Sequence, residues 1–112
     1  MKTIKSNMTS SIPNMKSFIE CIHYIKLNLP NYKNNGKQLL IDIYYILEPR
    51  IHHDDHPLIN NYKLYENVVY YTQTQWTRND IDYIKQLITK YKKHKYYNDV
   101  ILFLNQMNFE DL

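Results

Sequence analysis

Apolar side chains recur at three- and four-residue steps through most of this chain, the spacing that lines one face of an α-helix. From about Ile12 to Leu29 the stripe is Met15, Phe18, Ile19, Ile22, Ile25 and Leu29. Ser11 stands where an N-cap belongs, and Pro30 forbids continuation of the helix. "NYKNNG" then reads as a turn in which only Gly36 adopts a positive φ without steric cost. A second helix follows from about Lys37 to Leu47, with Leu39, Leu40, Ile43, Ile46 and Leu47 on its buried side, and "EP" at 48 and 49 is expected to stop it. Residues 49–57, "PRIHHDDHP", form a loop between prolines.

The third segment is the ambiguous one. Leu58, Tyr62, Tyr65, Val68 and Val69 fit a helix, yet residues 66–76, ending in "VVYYTQTQW", are β-branched and aromatic enough for a strand. A single strand with no partner elsewhere is unstable, so a helix is expected. The fourth segment carries the clearest start signal, "QWTRNDIDYIKQLITKY". Thr77 with Asp80 three residues on resembles a capping box, Asp80 and Asp82 suit the positive end of the helix dipole, and Lys90, Lys92 and Lys93 suit the negative end. Ile81, Ile84, Leu87, Ile88 and Tyr91 form its stripe. A fifth helix, from about Tyr97 to Gln106, is expected to bury Val100, Ile101 and Leu104, leaving an acidic tail with Phe109 and Leu112 as docking residues. The expected architecture is all-α: residues 1–11 as a flexible polar tail, and residues 12–112 as one domain, a bundle of four to six short helices.

Composition adds a source signal more than a functional one. Among the 112 residues there is no Ala and only one Gly, while Ile, Asn, Lys and Tyr supply nearly half. Those four residues have AT-rich codons, so the twelve tyrosines report an AT-rich genome, viral among other sources, before they report a surface. Tyr-Tyr pairs at 44, 70 and 96 are evenly spaced, but their flanks share no apolar pattern and make no repeat. The net charge of +3 is mildly basic and short of a dedicated polyanion binder. The lone Cys21 excludes an internal disulfide and fits a reducing compartment. No signal-peptide core opens the chain, and no apolar run is longer than the five residues Ile43 to Leu47, which cannot enter a bilayer as a span. An intracellular protein of cytoplasm or nucleus, without membrane insertion, is expected.

Candidate chemistry is sparse. "HHDDH", His52 to His56, is the only dense group of metal-capable side chains. Its flanking prolines favour a solvated loop, and no second ligand group stands at metal spacing, so no metal is assigned. Cys21 and His23, two apart, diverge on a helix. A single glycine leaves no phosphate-binding loop. No catalytic residue and no cofactor is expected, and the chain reads as a non-enzyme. The strongest electrostatic feature is "KYKKHK", in which Lys90, Lys92, Lys93 and Lys95 alternate with Tyr91 and precede Tyr96 and Tyr97, with Trp76 upstream. Lysines and aromatics in this pattern can hold phosphates and stack on bases, while the plainer reading is compensation of a helix C-terminus.

Two stretches resemble known families. Trp76, Thr77, Asp80, Leu87, Ile88, Tyr91, Tyr97 and "DVILFL", residues 76–104, resemble the first two helices of a Myb or SANT repeat, in which spaced aromatics pack a three-helix core. That resemblance implies a third, DNA-reading helix, whereas "NQMNFEDL" after Leu104 carries no Lys or Arg. Residues 84–112, ending "QMNFEDL", are similar to the end of a Pyrin-type death-fold domain, which implies homotypic protein binding. The expected function is a non-enzymatic protein–protein interaction module, of the kind a virus or mobile element directs at a host or partner protein, with self-association included. Tyr70, Tyr71, Tyr96 and Tyr97 are the expected contacts, because adjacent residues of a helix cannot both face the core. The alternative is a nucleic-acid-binding protein using Lys90, Lys92, Lys93, Lys95 and Trp76.

Overall fold

The structure, a computed structural model, describes residues 18–51 and 58–109, with the backbone course alone for 49–51 and 58–64. Over this range the chain forms five helices: α1 (Phe18–Asn28), α2 (Gly36–Ile51), α3 (Leu58–Gln75), α4 (Arg78–Ile88) and α5 (Tyr97–Asn105). Short 3-10 turns, Leu29–Tyr32 and Thr89–Tyr91, extend the ends of α1 and α4. No strand occurs among the described residues, so the all-α expectation holds. No helix there is long and apolar enough to cross a membrane.

The centre of the bundle is α2, which packs against each of the other four helices. Its sequence explains the position: Leu39, Leu40, Ile43, Ile46 and Leu47 are all buried, and Tyr44 is buried beside them. Burial nearly all round the helix also encloses Asp42. That carboxylate accepts hydrogen bonds from the Tyr32 hydroxyl at 2.5 Å and from Gln38 Nε2 at 3.0 Å, the satisfaction a buried acid requires.

Two expectations for α2 are corrected. Pro49 does not stop the helix, which runs on to Ile51. A proline this close to the end forfeits the bond of its own missing N–H, while the preceding turn is held by the buried Ile46 and Leu47. Gly36 is not a left-handed turn residue but the first residue of α2, and it is buried. A Cβ there would lie 2.2 Å from the Leu87 carbonyl oxygen and 3.1 Å from the Tyr91 ring, so this glycine serves a close approach of α2 to α4.

The strand alternative for residues 66–76 is likewise overturned, since α3 is continuous to Gln75. Val68 and Thr72 are fully buried on a helix that packs against α1 and α2, and Thr72 Oγ1 donates to the Val68 carbonyl at 2.6 Å. Tertiary packing of one helical face thus outweighs β propensity. In α1, Ile22 and Ile25 enter the core with Leu29 just beyond, but Ile19 remains 40% exposed. In α5 the buried residues are Val100, Phe103 and Leu104, so Phe103 takes the place expected of the half-buried Ile101. The face of α5 turned to α2 and α4 is narrow, and Phe103 also meets Tyr65 of α3 edge-on at 6.3 Å. Ser11, Met15 and Leu112 lie outside the described residues.

Candidate functional site

The start of α4 is built as its sequence implies. Asp80 N–H donates to Thr77 Oγ1 at 3.1 Å and Thr77 N–H donates to Asp80 Oδ2 at 2.8 Å, a reciprocal capping box. Lys26 of α1 forms an ion pair with the same carboxylate. Burial pushes the Asp80 carboxyl upward, but the Lys26 hydrogen bond, the Thr77 bonds and the Lys26 charge outweigh it and hold it below its ordinary value. Just before this cap Trp76 is 1% exposed, and its Nε1–H donates to the Ile22 carbonyl at 3.2 Å. Trp76 is therefore a core anchor joining α3 to α1, and its buried ring offers no face for a base to stack on. Arg78 reaches the tail, donating from Nη2 to the Phe109 carbonyl at 2.8 Å with its guanidinium 5.6 Å from the Phe109 ring centre. Asn108 N–H donates to Gln73 Oε1 at 3.0 Å, so the tail docks as far as Phe109.

The four candidate tyrosines are not brought together. Tyr70 is 66% exposed and lines a recess of α3 with Tyr65, Gln73 and Gln106. Tyr71 turns the other way, toward α1, where its hydroxyl meets His23 Nε2 at 2.9 Å and its ring meets Phe18 edge-on at 6.0 Å. Tyr96 stacks flat on Tyr44 at 3.7 Å, and Tyr45 stands edge-on to both. Tyr97 is half-buried against the core. Only Tyr70 of the four is exposed, whereas Tyr71 packs on α1, Tyr96 stacks on Tyr44 and Tyr97 is partly buried against the core.

Between α1 and α3 lies an open groove of about 430 Å³, lined by Ile19, Glu20, His23, Tyr24, Leu27 and Tyr71. Ile19, His23 and Leu27 stand four apart and share one outward face of α1. Leu27 is 78% exposed. This face was legible as a second, outer row of α1, yet the richer inner stripe had absorbed Ile19 and left Leu27 unassigned.

At the far end of α4 the lysines gather. Lys90, Lys92, Lys93 and Lys95 are all exposed on the segment joining α4 to α5. The Lys95 ammonium sits 5.2 Å from the Tyr96 ring centre. His94, within the same segment, accepts the Tyr96 N–H on Nδ1 at 3.1 Å. Burial pushes its imidazole below the ordinary value, and the charges of Lys37 and Lys95 add to the effect. Lys37, from the first turn of α2, is thus a neighbour of this cluster that no sequence spacing announced.

"HHDDH", residues 52–56, lies outside the described residues. Among the described residues no three His, Cys, Asp or Glu side chains converge to hold a metal ion. After α5, residues 106–109 form no further helix. Set against known proteins, the chain matches no protein family, no curated protein and no solved structure.

Proposed function

We propose that this chain is a non-enzymatic interaction module that binds another protein through the α1–α3 groove, acting inside a cell on a host or partner protein. The observation that carries this reading is the outer row of α1. Leu27 at 78% and Ile19 at 40% exposure leave aliphatic surface in water on a helix whose inner face is already buried. Tyr71, Tyr24 and His23 shape that surface into a recess with polar tips, the composition of the core of an interface. A partner segment with an apolar row fits it. Of the candidate contacts, Tyr71 lines the groove itself, while Tyr70 lies on the opposite flank of α3.

Leu27 and Ile19 are exposed, so Leu27→Asp combined with Ile19→Asp leaves the core intact. The expected result is loss of a partner cross-link formed from a photoreactive residue at position 23, with an unchanged circular dichroism melt. Sedimentation of the purified chain identifies the case in which the partner is a second copy. A complex that survives the double variant and Tyr71→Ala would overturn the reading.

A further inference from the structure

The structure assigns a second surface to this chain: we infer that the far end of α4 binds the phosphate backbone of a nucleic acid without reading its sequence, through Lys37, Lys90, Lys92, Lys93 and Lys95. Two elements distant in sequence make the patch. Gly36 brings the start of α2 against the Leu87 carbonyl and the Tyr91 ring, which sets Lys37 beside the lysine segment. The influence of Lys37 on His94 places the two within electrostatic reach. Five of the chain's fourteen Lys and Arg residues therefore collect at one end, so a modest net charge of +3 conceals a concentrated one.

Compensation of the α4 dipole does not account for this number. The negative end of a helix is equivalent to about half a charge and acts over its last turn. Nor are the lysines neutralised: among the described residues none of the five is paired with a carboxylate, while Lys26 at the other end of α4 is. Five exposed cations so close together repel one another, and a polyanion relieves that repulsion.

The chemistry of the patch selects among polyanions. Lysine offers a point charge and lacks the planar fork with which arginine reads guanine, so phosphates are held and bases are not discriminated. Tyr45, half in solvent beside Tyr96, offers an aromatic edge to an unpaired base. Among the described residues the exposed aliphatic pair that would enter a bilayer, Ile19 and Leu27, belongs to the α1 groove, and α5 adds only the single exposed Leu102, too little apolar surface to anchor this end in a bilayer. A nucleic acid is favoured over an anionic membrane on that ground.

The test uses the full chain and a fluorescent oligothymidylate of about 12 nucleotides, within the usual footprint of a small single-strand binder. Neutralising five phosphates predicts a log–log salt slope of about −3.5 for a single strand and about −4.5 for a duplex. Between 50 and 200 mM salt, affinity should fall on the order of 100-fold for the single strand. Lys37→Ala, distant in sequence from the other four, should reduce the slope by about 0.7. Lys37→Glu should weaken binding further, and Arg78→Gln, at the opposite end of α4, should leave it unchanged. The His94 ring resonances should shift on adding the oligonucleotide. No binding at about 50 mM salt, or binding indifferent to Lys37, overturns the proposal. So does lysine-dependent binding to phosphatidylserine vesicles with none to oligonucleotide or duplex.

Discussion

The two ends of α4 are held in different ways. At its start, neighbours in sequence form the cap, Thr77 and Asp80 satisfying each other, and α1 reinforces it through the Lys26 ion pair and the Trp76 bond to the Ile22 carbonyl. At its finish the chain tightens into a 3-10 turn, and the backbone of α2 at Gly36 packs closely against the Leu87 carbonyl and the Tyr91 ring. A terminus fixed locally costs little further ordering, because its polar groups are satisfied within one turn. A terminus fixed by a distant element depends on the whole bundle having formed. The second arrangement leaves the lysines facing solvent, and it is that end for which a polyanion is proposed.

The largest expected effect tests the outer hold. Gly36→Ala should destabilise the protein by about 1–3 kcal/mol, because the added Cβ meets a backbone carbonyl that cannot rotate away. The sign is decisive. If α2 and α4 were not in contact here, alanine in place of glycine in a helix would stabilise by about 0.4–1 kcal/mol. A urea or thermal melt showing a gain removes the second half of the comparison.

A smaller effect is expected at the locally held end. Thr77→Ala removes the hydroxyl that accepts the Asp80 N–H and should cost about 1 kcal/mol. Thr77→Ser keeps the hydroxyl and should recover most of that loss. If alanine and serine behave alike, the capping box is not what secures the start of α4.

This contrast also explains what was legible in the sequence. The helices, the stripe of α2 and the Thr77–Asp80 cap are local patterns, and periodicity suffices to read them. What escaped depends on which helix lies opposite. Phe103 is buried and Ile101 half-exposed because α2 and α4 cover only one strip of α5. Ile19 lies outside the core because no described helix covers the outer row of α1. Pro49 and Gly36 were judged by their own dihedral preferences, whereas neighbouring burial and a backbone contact decide their places. The same limit applies to function. Four of the five lysines were visible as a run, but Lys37 joins them only through the fold.

The smallest expected effect separates the two ends by pH. His94 has its folded-state value lowered by burial first, then by Lys37 and Lys95, from an ordinary 6.5. A lowered value means that the unfolded chain takes up the proton more readily, so the contribution of neutral His94 is full above pH 6.5 and is lost as pH falls through the folded value. Asp80 is also lowered, from 3.8: burial opposes the shift, and Lys26 and Thr77 prevail. Its contribution is complete above pH 3.8 and is lost only as pH falls further. Stability should therefore decline in two separate windows, one belonging to each end of α4. His94→Gln should flatten the upper window alone, and Asp80→Asn the lower one alone, as read from urea midpoints across the pH range. The lower step should be modest, well within about 1 kcal/mol, because Lys26 is partly in solvent and water screens the pair. If either variant flattened both windows, the ends would be one electrostatic unit and the contrast between them would fail.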